Sequence, residues 1–194
     1  MSTGFDPGGP VGATITSLQP ASSLMIEPGA VTPDQAARVA VIAGWCTTEY
    51  VTQSQRALVA GLTTAGYATL LVLATENPRH GLWPTGERPE SLTIIRRPNA
   101  GYDFGSWAVG INSFPNLRSA QSVLLVNDSL VGPFGSLVGV VQAFESANTD
   151  VWGLCESTEI SSHLQSFWLG FRKGVLSDRP LARYWRDIAI QPTK

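Results

Sequence analysis

The stretch Ser122-Val-Leu-Leu-Val-Asn-Asp-Ser-Leu-Val-Gly-Pro133 decides the fold. Residues 123–126 are apolar without alternation, the pattern of a strand buried on both faces of a parallel sheet. Three small polar residues, Asn127, Asp128 and Ser129, then stand where the strand ends, and a Gly-Pro turn follows. In open α/β sheets ligands bind outside the carboxyl ends of the strands. Asp128 is the only formal charge between Arg118 and Glu145, so one carboxylate marks that tip. An Asx turn that merely ends the strand accounts for the same residues equally well.

Outward from this stretch, strands and helices alternate. On the amino-terminal side, 39–43 and 68–74 repeat the buried-strand pattern. Between them Val51, Leu58, Leu62 and Ala65 mark one face of a helix, with Thr47 and Thr48 as candidate N-caps and Gly66 as the stop. Thr75 and Glu76 follow the second strand, and 92–95 form a third, shorter one. In Arg96-Arg-Pro-Asn-Ala-Gly-Tyr-Asp-Phe-Gly-Ser-Trp107, the spacing of Phe104, Trp107, Ala108 and Ile111 predicts a helix starting near Asp103.

Beyond Gly135, Leu137, Val140, Val141 and Phe144 predict a further helix with a cap at Ser136. A fifth strand is expected at 151–154, leading into Glu156. Ser162 and Gln165 read as a capping box, and Leu164, Phe167, Trp168, Phe171 and Val175 as the apolar face of a helix. Pro180 suits the first turn of a last helix. The expectation is an α/β fold with a mostly parallel sheet flanked by helices, over residues 37–194. Residues 1–36, rich in Gly, Pro, Ser and Thr, read as a flexible leader or linker, with only Ser23–Ile26 hinting at order.

Composition narrows the function. A net charge of −2 leaves no electrostatic footprint for nucleic acid. No apolar run approaches the ~18 residues of a membrane helix, and no signal-peptide core is present, so a cytoplasmic setting is expected, with peripheral membrane contact open. Cys46 and Cys155 stand in no metal-ligand spacing and read as reduced thiols. The chain lacks G-x-G-x-x-G after its first strand, a P-loop and a G-x-S-x-G elbow.

In a parallel sheet, Thr75, Glu76, Asn99 to Asp103, Asn127 to Ser129 and Glu156 share one edge. Asp103 either caps its helix or belongs to a turn that offers backbone N–H groups to an anion or sugar, with Gly101 at positive φ. Arg96 and Arg97 suit phosphate, with one of the pair expected to face solvent. Asp128 with its flanking oxygens suits Mg²⁺ or Mn²⁺ completed by a diphosphate. His163, expected in the first turn of a helix, is a candidate ligand or acceptor contact, and Glu156 a candidate base with Glu159 as competitor.

These motifs carry a resemblance. Arg97-x-Asn99-x-Gly101-Tyr-Asp-Phe-Gly-Ser-Trp107, then Leu-Leu-Val-Asn127-Asp-Ser-x-x-Gly-Pro-Phe134, then Trp152-Gly-Leu-x-Glu-Ser157 with His163-Leu-Gln-Ser-Phe167 resemble the rhamnan synthesis protein F family. The resemblance implies a GT-A-like, Rossmann-like nucleotide-sugar-binding domain of a bacterial glycosyltransferase, with rhamnose transfer as the namesake activity. It implies a donor such as dTDP-rhamnose and a cell-surface polysaccharide or lipid-linked acceptor. Asn99, Gly101, Asp103, Asn127, Ser129 and Arg97 would bind the donor. Asp128 and His163 would hold a divalent metal, and Glu156 with Asp128 would serve catalysis. The motif Asn127-Asp128-Ser129 carries one carboxylate where a D-x-D motif carries two.

Overall fold

An unbroken apolar run cannot leave either face in water, and residues 122–127 lie inside a seven-stranded sheet, with strands on both sides. The computed structural model describes residues 14, 21–86, 88–130, 132–159 and 161–189. In chain order these form β1 (Met25–Glu27), β2 (Arg38–Trp45), α1 (Gln53–Thr64), β3 (Ala68–Ala74), β4 (Leu92–Arg97) and α2 (Tyr102–Ser113). There follow β5 (Ser122–Asn127), α3 (Val138–Ser146), β6 (Val151–Gly153), β7 (Glu156–Ser157), β8 (His163–Leu164), β9 (Trp168–Arg172) and α4 (Arg179–Asp187).

The sheet order is β1-β4-β3-β2-β5-β9-β6. Strands β4, β3, β2 and β5 are parallel to one another, and every residue of β3, β4 and β5 is buried. The edges run the other way: β1 is antiparallel to β4, β9 to β5, and β6 to β9. The sheet is therefore mixed, and the mostly parallel expectation describes its four central strands only. From β2 the chain steps through β3 to β4, then returns past β2 to β5. The order reverses between β2 and β5.

Helices cover both faces. On one face α1 and α3 pack Leu58, Val59, Leu62, Val141 and Phe144 against Ile42, Leu71 and Val126. On the other, α2 and α4 bring Trp107, Ile111 and Trp185 against Val41, Val72 and Leu125. Trp107 is fully buried and its indole N–H donates to the Val126 carbonyl at 3.0 Å. Burying one indole of roughly 150–250 Å² contributes about 4–6 kcal/mol at ~25 cal/mol per Å².

Three expectations change. Residues 162–175 contain no α-helix: β8 closes a hairpin with β7, and β9 inserts between β5 and β6. The cap of α1 is Thr52, in a capping box with Gln55, rather than Thr47 or Thr48. Met25–Glu27, inside the stretch read as leader, is paired with Ile94 to Arg96. Of that stretch, residues 1–13 and 15–20 lie outside the described residues.

Candidate functional site

Where β5 ends, the Asp128 backbone N–H still donates to the Ala43 carbonyl of β2 at 3.0 Å. That bond carries the Asp128 side chain into the gap between the two strands, the point at which the strand order reverses. Its Oδ2 accepts from the Trp45 N–H at 3.2 Å and from Gln55 Nε2 at 2.6 Å. Gln55 is 1% exposed, and the same amide donates to the Trp45 carbonyl at 3.1 Å. Its Oε1 accepts from the Thr52 N–H at 2.9 Å, completing the cap of α1. A Cβ at Gly44 would lie 3.0 Å from Asp128 Oδ2 and 3.1 Å from Gln55 Nε2, so glycine leaves room for the pair. Among the described residues no residue other than Gln55 and Trp45 donates to the Asp128 carboxylate, whose own backbone N–H also favours the charged form. Burial pushes the Asp128 carboxyl above its ordinary value; the Gln55 and Trp45 donors oppose this, and the nearby Asp103 charge adds to it.

Asn127, 6% exposed, joins this tip to the turn after β4. Its Nδ2 donates to Asp103 Oδ2 at 2.8 Å, and its Oδ1 accepts from the Ser129 N–H at 3.3 Å. Asp103 sits in the first turn of α2 but does not cap it; the N-cap position is Gly101, at φ 73° as expected. The Asp103 carboxyl is also raised by burial, with Asn127 and Arg97 opposing.

Arg97 builds the turn from within. It is 1% exposed, with Nε donating to Ser106 Oγ at 3.1 Å and the two terminal nitrogens donating to the carbonyls of Pro98, Ala100 and Tyr102 at 2.9–3.2 Å. Burial lowers its pKa to about 10, with the Asp103 charge opposing. A Cβ on Gly105 would overlap the Ala100 carbonyl oxygen, so α2 can approach the turn only with glycine there. Arg96 is 2% exposed and donates to Glu27 Oε1 at 2.7 Å and to the Gly81 carbonyl at 3.4 Å. Neither arginine faces solvent, contrary to expectation, because each guanidinium binds groups of the protein itself.

Beside this turn a cleft of about 440 Å³ opens at the tips of β3 and β4, with Met25, Thr75, Glu76, Pro78, Pro98 and Asn99 among its walls. The Thr75 N–H donates to the Arg97 carbonyl at 2.9 Å, which fixes the two tips together.

Glu156 and His163 are placed elsewhere. Both are exposed on the β7–β8 hairpin, which leaves the same sheet edge. The hairpin is closed at its base by Leu154 N–H to the Trp168 carbonyl at 3.2 Å and Gln165 N–H to the Cys155 carbonyl at 2.9 Å. Glu156 accepts from Ser162 Oγ, His163 Nδ1 lies 2.7 Å from the Ser161 carbonyl oxygen, and the Glu159 N–H donates to Ser157 Oγ at 3.3 Å. His163 is thus on a strand, without the helix terminus expected for it. No hydrogen bond or ion pair joins this hairpin to Asp128 among the described residues. Nor do three His, Cys, Asp or Glu side chains cluster in metal-binding geometry among them.

The structure therefore brings together Arg97, Gly101, Asp103, Asn127, Asp128 and Ser129, and holds Glu156 and His163 on a separate hairpin. Gln55 is the candidate site residue the motifs did not reveal. Its signal was Thr52-x-x-Gln55, the capping-box spacing, three residues ahead of the apolar stripe of α1.

The fold and site define an α/β domain with a polar edge at its strand reversal. Residues 91–192 match the family model described as rhamnan synthesis protein F, over half of the chain, and the chain belongs to that family. It is 29% identical over 138 residues to virulence protein VirA of Vibrio anguillarum, a match covering 69% of this chain and 42% of that protein. It is 31% identical over 107 residues to the uncharacterized protein y4gN of Sinorhizobium fredii, covering 52% of this chain and 28% of that protein. The chain thus spans less than half the length of these relatives. No solved structure matches. Among the described residues no helix is long and apolar enough to cross a membrane.

Proposed function

We propose that this chain is the donor-binding domain of a GT-A-like glycosyltransferase. It would move a sugar, rhamnose foremost, from a nucleoside diphosphate to a cell-surface polysaccharide or its lipid-linked precursor, at the cytoplasmic face of the membrane. One observation carries the reading: Asp128 stands at the strand reversal, with Asn127 bridging to Asp103 on the turn of Asn99 and Gly101. Four parallel strands in the order β4-β3-β2-β5 with a polar crevice at the reversal are the usual frame for a nucleotide.

In this reading the chain's own groups divide the work. The turn at Gly101 and the N-terminus of α2 offer backbone N–H groups toward the diphosphate. Gln55 and the Trp45 N–H fix one oxygen of Asp128, and the other is left for a ligand. Hard oxygen donors of this kind suit Mg²⁺ or Mn²⁺, and Asp128 with Asp103 would hold the ion, His163 being on the separate hairpin. Such an ion, when bound, neutralises charge on the departing diphosphate. Arg96 and Arg97 are engaged by the protein, so Arg97 acts by shaping the turn and Arg96 by holding Glu27 of β1, rather than by contacting phosphate. Glu156 would accept the acceptor hydroxyl proton, the hairpin carrying it toward the crevice edge.

A transfer assay tests this directly. Label should pass from dTDP-rhamnose to a polysaccharide or lipid-linked acceptor with the wild type, and not with Asp128→Ala. Full transfer by a folded Asp128→Ala chain would refute the assignment. The exposed, separate position of Glu156 favours a second reading, a nucleotide-sugar-binding module without turnover. That module would bind donor, transfer nothing, and be indifferent to Glu156→Ala.

A further inference from the structure

The family match begins at residue 91, yet one wall of the cleft at the β3 and β4 tips comes from far upstream. Ser23 and Met25 line it, opposite Thr75, Pro78, Pro98 and Asn99. The segment is built into the fold rather than draped over it. Met25, Ile26 and Glu27 pair with Arg96, Ile95 and Ile94. Arg88 donates to the Glu27 carbonyl at 2.9 Å and lies 3.5 Å from its carboxylate. The second Glu27 oxygen meets Arg96, a guanidinium 2% exposed that also lines the cleft and whose Nε–H has no partner among the described residues. Glu27 thereby latches the wall to the floor.

The lining suits a flat ring with a hydrogen-bonding edge. Met25, Pro78 and Pro98 supply apolar walls, while the Asn99 amide and the Glu76 carboxylate have no hydrogen-bond partner among the described residues. The volume lies in the range of roughly 300–1,000 Å³ usual for small-ligand sites. Arg97 forms part of the floor and donates to the Ala100 and Tyr102 carbonyls, so the turn beside the cleft is the one that carries Asp103, the partner of Asn127. From the β4 tip to the β5 tip is three strand spacings, roughly 14 Å, a span suited to an extended nucleoside diphosphate.

We propose that strand β1 and the turn before it are part of the donor site: Ser23 and Met25 form the outer wall of a cleft that receives the base and ribose of a nucleoside diphosphate, with the Glu27–Arg96 pair as its latch. This rests on the nucleotide-sugar reading above.

The test is calorimetric titration of the full chain with UDP, dTDP and GDP, and with inorganic pyrophosphate as the probe that lacks base and ribose. Met25 is 47% exposed, so Met25→Trp fills the cleft without disturbing the core; Glu27→Gln loosens the latch, and thermal unfolding checks both folds. Met25→Trp is expected to weaken the preferred nucleoside diphosphate at least about tenfold, with pyrophosphate unchanged. Glu27→Gln is expected to shift it in the same direction by less. Wild-type binding of a nucleoside diphosphate that both variants match would overturn this inference and leave the proposed function standing. No binding of any nucleoside diphosphate by the wild type would overturn both.

Discussion

Gln55 Nε2 donates a 2.6 Å hydrogen bond to the Asp128 carboxylate, across 73 residues of sequence. One side chain thus closes the first turn of α1 and orients the acid at the strand reversal. Helix start and site are a single construction.

Replacing Gln55 by Ala removes a donor to a charged group and half of a capping box. The expected cost is about 2–4 kcal/mol, or roughly 5–15 °C in melting temperature. Nucleotide affinity should fall with it, because Asp128 then keeps only backbone donors, the Trp45 N–H and its own. Thermal unfolding with and without ligand separates the two effects. A variant with unchanged melting and unchanged affinity would remove Gln55 from the site.

The raised carboxyls of Asp103 and Asp128 set a pH dependence with a definite sign. Each native state holds its proton more tightly than the unfolded chain, whose ordinary value is 3.8. Stability is therefore lost as pH rises from 3.8 through the raised native values, and the cost is complete above them. Asp128→Asn removes that cost and should melt above the wild type at neutral pH without metal. The gap should narrow as pH falls toward 3.8. Melting curves across this range check it; a variant less stable at neutral pH contradicts the burial argument.

Arg97 donates to three backbone carbonyls and a serine hydroxyl, a fan that a lysine ammonium cannot reproduce. Arg97→Lys should lose about 2–4 kcal/mol by urea unfolding and loosen the 98–102 turn, seen as faster amide exchange there.

Gly105→Ala drives a methyl group into the Ala100 carbonyl, which is backbone and cannot swing aside. A loss of at least ~2 kcal/mol is expected, together with loss of nucleotide binding. A Gly105→Ala variant of native stability would show that α2 and the turn are not in the close contact described.

Much of this is legible from the chain. The central runs of β2, β3, β4 and β5 are apolar without alternation, interrupted only by Thr69 and Thr93, and the stripes of α1, α2 and α3 have a clean 3.6 period, so burial dictates their type. Leu164, Phe167, Trp168 and Phe171 read as helix because a hairpin followed by a strand reproduces that spacing. β9 lies between two strands, and a short strand without alternation has no period of its own. β1 spans three residues, too few for any pattern. The burial of Arg96 and Arg97 follows from local carbonyls and from Glu27, 69 residues away from Arg96, partners that the linear sequence does not display. Asn127, Asp128 and Asp103 stand out because they end strands or open a helix. Gln55 does not, because its partner Asp128 lies 73 residues further on, just past the end of β5.

The most direct measurement is a thermal-shift panel of nucleoside diphosphates and their sugars, dTDP-rhamnose among them, with and without Mn²⁺, on the wild type and Asp128→Ala. A ligand at one hundred times its Kd contributes about 2.7 kcal/mol, a shift of roughly 5–11 °C for a chain of this size. The account predicts such a shift for one nucleotide, strengthened by Mn²⁺ and lost in Asp128→Ala. An equal shift in Asp128→Ala, or none with any nucleotide, would contradict it.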